Sequence, residues 1–571
     1  MRFCEYARKK LSSFRKRKPQ IRQARKIVFQ IHLHWDDQHS SYPFEAGKSL
    51  FSLFETAGIE ILSDCGGTGT CGLCLVQILA GELPAPNPIE RKHLTKTQLA
   101  QNIRLACQLS PKQEVSLRIL SRRAPVAWRN LKPREVPDFQ PNAKALEHWA
   151  RGTQKPQRLG VAIDLGTTHL CLSLWDLSKG QRLAGRVGLN PQFTFGSDIM
   201  TRLAAASTEQ TAKAISRITR AAIAEGLKQL VKKANCKLYQ IEQLLIVGNT
   251  AMLVLLSGRK ANQLLDPNYW AQFLDCQPLN THAWAKNWGL AEGCIIELLP
   301  PLAGFVGSDL LAGLLATQLD GQTGGALLVD FGTNSEIALW DGKSLWVTSA
   351  AGGPAFEGSG ISCGMPAGAG AAWRAEIKAG EKEFSLEVIG KGELKGISGS
   401  ALVDIIAGLV KTGRLRANGL FHADLAQTGL KLAEKPREII LQKRDIDLFQ
   451  RAKAAVGAGI VTLLQKSGLQ KSALEQIYIS GAFGSFLQVE SAQQIGLIPE
   501  LDPGKVKLCG NTALGGCEQQ LFAANRQEKA KALKQKIRYF NLAQHPEFES
   551  LFFENLFLRP MKWPEGERNE F

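Results

Sequence analysis

The chain has 571 residues, enough for about three or four domains, and is 44% apolar and 21% charged, as a soluble globular protein is. No run approaches the ~18 uninterrupted apolar residues of a membrane-spanning helix, so no span is expected. The net charge of +18 raises nucleic-acid binding as an option, but its distribution argues against one.

The N-terminal residues 1–26 form a basic tail with eleven Lys/Arg and one acid. The next stretch, IVFQIHLHW, alternates apolar and polar residues as a strand does and is not the apolar stretch of a signal peptide. A cytoplasmic location is therefore expected. SLFSLFETAG (49–58) predicts a short helix capped by Ser49 and ended by Gly58. The loop DCGGTGTCGLC (64–74) follows, then a strand-like LCLVQILAG, a polar stretch rich in Pro and Lys, RLACQLS, and a last strand VSLRIL at 115–120. Residues 27–122 thus predict a small α+β module.

Residues 121–158 hold nine Lys/Arg, three acids and five prolines without sustained periodicity, so 123–158 is expected to be a basic linker with about one helical turn at AKALEHWA. Tail and linker together account for sixteen of the eighteen net charges. A basic tail and a basic linker are no basic groove, and no nucleic-acid partner is expected. From Leu159 apolar strands alternate with Ala/Leu-rich helices, an α/β pattern. Strands are predicted at LGVAIDLG, QLLIVGNT, GALLVDFG, EIALWDG and QIYISGAFG. LGVAIDLGTTHLCLSLWD (159–176) and GALLVDFGTNSEIALWDG (325–342) share one scheme of strand, Asp, Gly-Thr turn and second strand, the mark of a duplication. Residues 526–571 open on a basic helix and include LFFENLFL, a helical extension whose apolar face should dock.

Twelve cysteines in a cytoplasmic chain are not a disulfide framework. Eight are scattered singly and suit small apolar core positions, whereas Cys65, Cys71, Cys74 and Cys107 need a joint explanation. Structural zinc sites pair two CxxC-like knuckles, and a redox dithiol would use CGLC alone. Three cysteines from one loop and a fourth 33 residues on follow instead the plant-type pattern for a 2Fe–2S cluster, with a first gap one residue longer than C-x4-C. The glycines let such a loop adopt left-handed conformations and bring amide N–H groups to the sulfurs. On DCGGTGTCGLCLV and RLACQ, residues 27–122 resemble an adrenodoxin- or plant-type ferredoxin domain. That resemblance implies a β-grasp fold with Cys65, Cys71, Cys74 and Cys107 as the cluster ligands.

In IDLGTTH (163–169) an apolar strand ends in Asp and a Gly-Thr-Thr turn, suited to a phosphate chain and Mg²⁺. Its counterpart recurs 166 residues later, and YISGAFG (478–484) adds a strand ending in a Gly-x-x-Gly turn. The set is similar to the phosphate-1, phosphate-2 and adenosine motifs of the ATPase superfamily of sugar kinases, actin and heat-shock chaperones (ASKHA). This implies a duplicated α/β actin-like (ribonuclease H-like) ATP-binding domain over 159–525. Carried over by motif, Asp164, Gly166, Thr167 and Thr168 form the first phosphate loop, and Asp330, Gly332, Thr333 and Asn334 the second. Gly481 and Gly484 line the adenosine side. Asp164 and Asp330 would face each other as Mg²⁺ and water positioners, and Glu336 could also orient water.

NPQFTFGSDIMTRL (190–203), IVGNTAM (246–252), GGPAFEGSGISCGMPAGAGA (352–371) and HPEFESLFFENLF (545–557) narrow the choice. Together with both domains they resemble the reductive activators of corrinoid proteins, over about residues 27–560. The resemblance implies a 2Fe–2S cluster and MgATP as cofactors, an upstream reductase or ferredoxin, and a corrinoid-containing methyl-transfer protein whose Co(II) is returned to Co(I). A homodimer is compatible with the sequence. The alternative is a nucleotide-gated redox sensor without turnover. A 2-hydroxyacyl-CoA dehydratase activator shares the ATPase fold, but it places its cluster cysteines in the ATPase domain itself. Cys363 falls within the GISCGMPAG stretch, either near the cleft or as a packed small residue. His93, His169 and His545 have no spacing that marks one as a ligand.

Overall fold

The computed structural model describes residues 28–564 apart from 36–37, 60, 62, 64–66, 71, 73, 95, 121–127, 151–156, 197, 260, 359, 379–380, 382, 391 and 435–437. The basic tail, Cys65 and Cys71 lie outside the described residues. The chain divides into two compact units, the first ending at Arg123 and the second running on to the C-terminus.

In the first unit the strands are β1 (Val28–Trp35), β2 (Gln38–Glu45), β3 (Leu75–Ala80), β4 (Ile103–Leu105) and β5 (Val115–Ile119), in sheet order β2-β1-β5-β3-β4. β1 and β5 run parallel at the centre and the other pairs are antiparallel, which is a β-grasp arrangement. The Leu50–Ala57 helix begins at Ser49, whose side chain accepts from the Ser52 amide, and ends at Gly58 in the left-handed conformation. Leu50, Phe51 and Phe54 of this helix share one core with Ile31, Leu33, Val76 and Leu117 of the sheet.

The second unit contains two sheets on one plan. The first lobe has β6 (Arg129–Asn130), β7 (Leu159–Leu165), β8 (His169–Asp176), β9 (Gln181–Leu189), β10 (Ile241–Gly248) and β11 (Ile295–Leu298), in order β11-β10-β7-β8-β9-β6. The second lobe opens with β12 (Gly325–Phe331), β13 (Ser335–Trp340) and β14 (Leu345–Ala350). An insertion follows, with β15 (Ala371–Glu376), β16 (Ser385–Val388) and β17 (Gly396–Ile397) in one small sheet and β18 (Leu430–Ala433) with β19 (Ile439–Leu441) in another. β20 (Leu474–Ser480), β21 (Val506–Gly510) and β22 (Ile537–Tyr539) complete the order β21-β20-β12-β13-β14-β22. Each lobe therefore holds an antiparallel meander, β7-β8-β9 or β12-β13-β14, flanked by two parallel strands.

Two helices cross between the lobes. The Ser308–Thr317 helix places Leu310, Leu311 and Leu314 in the core of the second lobe, and the Thr512–Leu521 helix places Leu514, Cys517 and Leu521 against the sheet of the first. They meet so closely that a Cβ on Gly516 would stand 1.9 Å from the Ala312 carbonyl oxygen. No helix among the described residues is long and apolar enough to cross a membrane.

One expectation needs correction. Residues 128–150 are not a linker but part of the first lobe. β6 pairs antiparallel with β9, and Val136, with Leu131, Phe139 and Trp149 against it, joins the core. The AKALEHWA turn is a full helix, Ala143–Ala150. A two-residue strand has no period to detect, and these apolar residues fall at irregular intervals among prolines, which is why the sequence suggests a linker. The C-terminal helical extension packs onto the second lobe. β22 runs parallel to β14, and Leu551 of the Phe548–Asn555 helix packs with Ala458 and Val461 of the Lys443–Ser467 helix.

Candidate functional site

In the first unit the cysteine loop shows the conformations its glycines allow. Gly67, Gly69 and Gly72 have φ of 89°, 87° and 70°. A Cβ on Gly72 would press on the His93 ring at 2.8 Å, and one on Gly67 on the Phe51 ring at 2.7 Å. Cys74 is fully buried and its carbonyl accepts from the Ala106 amide at 2.8 Å, which ties the loop to the Ala106–Gln108 turn carrying Cys107. The Gln108 amide donates to the Cys107 sulfur at 3.4 Å, the kind of donor that stabilises a metal-bound thiolate. Beneath the loop Glu90, wholly buried, holds Arg104 through two bonds of 2.9 and 2.6 Å and caps its own helix with Asn87.

In the second unit a cavity of about 250 Å³ lies where the two Gly-Thr turns meet. The Thr168 and Thr333 hydroxyls stand 2.8 Å apart, one from each turn. Both turns are equally tight: a Cβ on Gly166 would lie 3.0 Å from the His169 carbonyl, and one on Gly332 3.0 Å from that of Asn334. Gly166, Thr167, Thr168, Gly332, Thr333 and Asn334 all line the cavity. The NPQFTFGSDIMTRL stretch braces the first turn from behind. Asn190 donates to the Gly166 carbonyl at 2.7 Å, and the buried Arg202 to that of Thr167 at 2.6 Å. The second turn is held by the Gly353 amide, which donates to the Thr333 carbonyl at 2.9 Å.

Four carboxylates converge here. Asp164 and Asp330 end β7 and β12 as their motifs suggested, and Glu336 lies directly across the strand pair from Asp330. The fourth, Asp309, escaped the sequence analysis. It sits in the first turn of the crossing Ser308–Thr317 helix, where Gly-Ser-Asp reads as an ordinary helix start. Burial, foremost, pushes Asp164 up to about 7, Asp330 to about 7 and Asp309 to about 6, and raises Glu336 well above its usual range. Repulsion from Asp309 adds to the rise at Asp164, Asp330 and Glu336. The Asn511 side chain, at the N-terminus of the other crossing helix, opposes this by donating to Asp164 at 2.6 Å. No group of three or more His, Cys, Asp or Glu among the described residues is arranged to hold a metal ion by itself.

Ile389, Phe483 and Phe486 of the second lobe line the cavity, as Leu131 and Val187 of the first lobe do. Gly481 is there, with φ of 89°, and a Cβ on it would meet the Phe331 carbonyl oxygen at 2.2 Å. Gly484 does not line the cavity; it packs against Ile479, 2.6 Å from where its Cβ would be. His169 lines the cavity and is held neutral down to about 4 by burial, with the nearby Arg129 adding to the effect. Cys363 is core: burial pushes its thiol up to about 12, and its carbonyl accepts from Ile397. His545 is buried, and its Nδ1 accepts from the Glu547 amide.

A β-grasp ferredoxin module on the same chain as a two-lobed ASKHA-type cleft defines the class of protein. Residues 33–112 match the 2Fe-2S iron-sulfur cluster binding domain family, 159–322 the RACo middle region, and 325–566 the C-terminal domain of RACo, the ASKHA domain. The chain is 31% identical to "Corrinoid activation enzyme RamQ" of Eubacterium limosum over 69% of its own length and 70% of that protein. It is 26% identical to the "[Co(II) methylated amine-specific corrinoid protein] reductase" of Methanosarcina barkeri, over 71% and 77% of the two chains. A solved "Reductive activator for corrinoid,iron-sulfur protein" has the same fold, at a TM-score of 0.65 and 23% identity, covering 94% of this chain and 99% of that one. The chain belongs to the family of corrinoid activation enzymes.

Proposed function

We propose that this chain reductively activates a corrinoid-containing methyl-transfer protein in the cytoplasm, returning its Co(II) to Co(I) with ATP hydrolysis as the driving step. An upstream reductase or ferredoxin supplies the electron. When bound by Cys65, Cys71, Cys74 and Cys107, a 2Fe–2S cluster supplies one-electron chemistry, near about −400 mV for the plant type. Each 59 mV by which the corrinoid couple lies lower is a tenfold penalty for one electron. A cleft that responds to nucleotide offsets a penalty of that size.

Within the cleft the amides and hydroxyls of the two Gly-Thr turns cradle the phosphates. Asp164, Asp330 and Asp309 would hold Mg²⁺, which would supply charge neutralisation for the phosphates, and Glu336 would orient the attacking water. Phe486 and Ile389 take the base, with Gly481 holding the strand-end turn close against the Phe331 carbonyl. The observation that carries this reading is the meeting of Thr168 and Thr333, 2.8 Å apart, beside four carboxylates, Asp164 and Glu336 buried and Asp309 and Asp330 half-buried. The test mixes the iron-loaded chain with a Co(II) methyl-transfer protein, MgATP and a reductant, and follows the Co(I) absorption. Asp330→Ala should leave the cluster reducible while Co(I) formation stops. If that variant activates its partner at the wild-type rate, ATP is not the driver.

A further inference from the structure

The segment that enters the second unit from the first is built into the nucleotide cleft. Four glycines leave the space it occupies: added Cβ atoms would meet Leu131 at 2.6 Å (Gly185), the Glu135 carbonyl at 2.8 Å (Gly510), Pro137 at 2.9 Å (Gly515) and Pro141 at 2.5 Å (Gly180). The Asn511 amide donates to the Glu135 carbonyl at 2.8 Å, and the same residue's side chain holds Asp164. The segment is thus hydrogen-bonded, through one residue, to an aspartate at the centre of the site.

β6 also completes a row across the first sheet. Asp164 pairs with Cys171, Cys171 with Val187, and Val187 with Arg129. Directly opposed residues of antiparallel strands share a face, and all four line the cavity. Three strand spacings of ~4.8 Å put the Arg129 backbone roughly 14 Å from that of Asp164. A nucleotide phosphate chain and an arginine side chain together bridge such a span. The phenylalanine side chains lining the cavity, Phe331, Phe356, Phe483 and Phe486, all come from the second lobe, so a base stacked there leaves its phosphates to the first-lobe wall and the row that ends on Arg129.

Charge points the same way. The described residues lining the cavity include Asp164, Asp309, Asp330, Glu336 and Glu135, against Arg129 and Lys132 as the only cationic side chains. A triphosphate brings further negative charge that one Mg²⁺ does not balance. Arg129 is half-exposed and bonded to Glu135 at 2.8 Å, a surface pair weak enough to exchange its partner.

We propose that Arg129, carried by the segment that joins the two units, is a ligand of the nucleotide's terminal phosphate, which takes the place of the Glu135 carboxylate. The inference rests on the ATP reading above and adds a phosphate sensor on the tether itself. A guanidinium with a terminal phosphate gains charge-assisted bonds that ADP cannot offer it.

Calorimetry on the cluster-loaded full chain, with the magnesium salts of a non-hydrolysable ATP analogue and of ADP, tests it. Arg129→Gln should weaken the analogue about ten- to hundredfold while ADP affinity changes less than about threefold. Arg129→Lys should recover part of the loss. An Arg129→Gln variant that binds the analogue as tightly as wild type overturns the inference, and so does equal weakening of both nucleotides. If the wild type itself binds neither nucleotide, the ATP reading falls and takes the inference with it.

Discussion

Replacing Asp330 with asparagine should stabilise the nucleotide-free protein above neutral pH. Asp330 stands half-buried in the cleft beside Asp164, Asp309 and Glu336, and desolvation there raises it to about 7 from an unfolded value of ~3.9. A carboxylate whose folded pKa lies above its unfolded one favours the fold while protonated. Its contribution is complete below pH ~4 and lost as pH rises through about 7. Three pKa units at ~1.4 kcal/mol each set a ceiling of about 4 kcal/mol. Protonating one carboxylate relieves its neighbours, and Ser480 donates to Asp330, so about 1–2 kcal/mol is the share one substitution recovers. Urea denaturation of wild type and Asp330→Asn at pH 5 and pH 8 measures it. The variant should be more stable by that amount at pH 8 and nearly equal at pH 5. Equal stability at pH 8, or a gain that does not change with pH, would refute the electrostatic reasoning.

Glu90→Gln should destabilise the first unit by about 3–5 kcal/mol, since it leaves the buried Arg104 guanidinium without its charge partner. Bound iron per chain and the cluster's visible absorption should fall, while nucleotide binding by the second unit stays. Gly481→Ala places a methyl group 2.2 Å from the Phe331 carbonyl at a backbone φ of 89°, a strain of about 1–3 kcal/mol, and should weaken ADP binding more than tenfold. Gly484→Ala, which packs on Ile479 outside the cavity, should lower thermal stability and leave ADP affinity near wild type.

What was legible in the sequence is what is local. The two Asp-Gly-Thr turns announce themselves because strand, carboxylate and turn are contiguous, and both sets of residues stand at one cavity. The ferredoxin module was equally plain, since a glycine-rich cysteine loop has few other uses. Asp309 was hidden because an acid in the first turn of a helix is common, and only the crossing of two helices brings it to the cleft. Arg129 was hidden more deeply. Its strand has two residues, Pro125 and Pro133 lie four residues to either side, and its position in the site comes from pairing with Val187, fifty-eight residues away. Gly484 shows the opposite error, in which a motif's second glycine serves helix-on-strand packing.

The duplication explains where the two lobes agree, and its breaks explain their division of labour. In both, the strand that ends in Asp is followed by a tight Gly-Thr turn and a partner strand, and the position opposite the Asp faces the cleft. In the first lobe that position is Cys171, a neutral thiol whose pKa burial raises well above its usual value; in the second it is Glu336. The second lobe therefore adds a second carboxyl beside Asp330, where the proposed ion and attacking water would sit. The outer edges differ too. The first sheet is completed antiparallel by chain arriving from the ferredoxin unit, the second parallel by chain from the C-terminal helices. The arriving edge alone brings a cation, Arg129, into register with the phosphate-loop aspartate. On the proposed function, that asymmetry puts the cation of the first-lobe edge on the segment that links the electron-carrying unit to the nucleotide cleft.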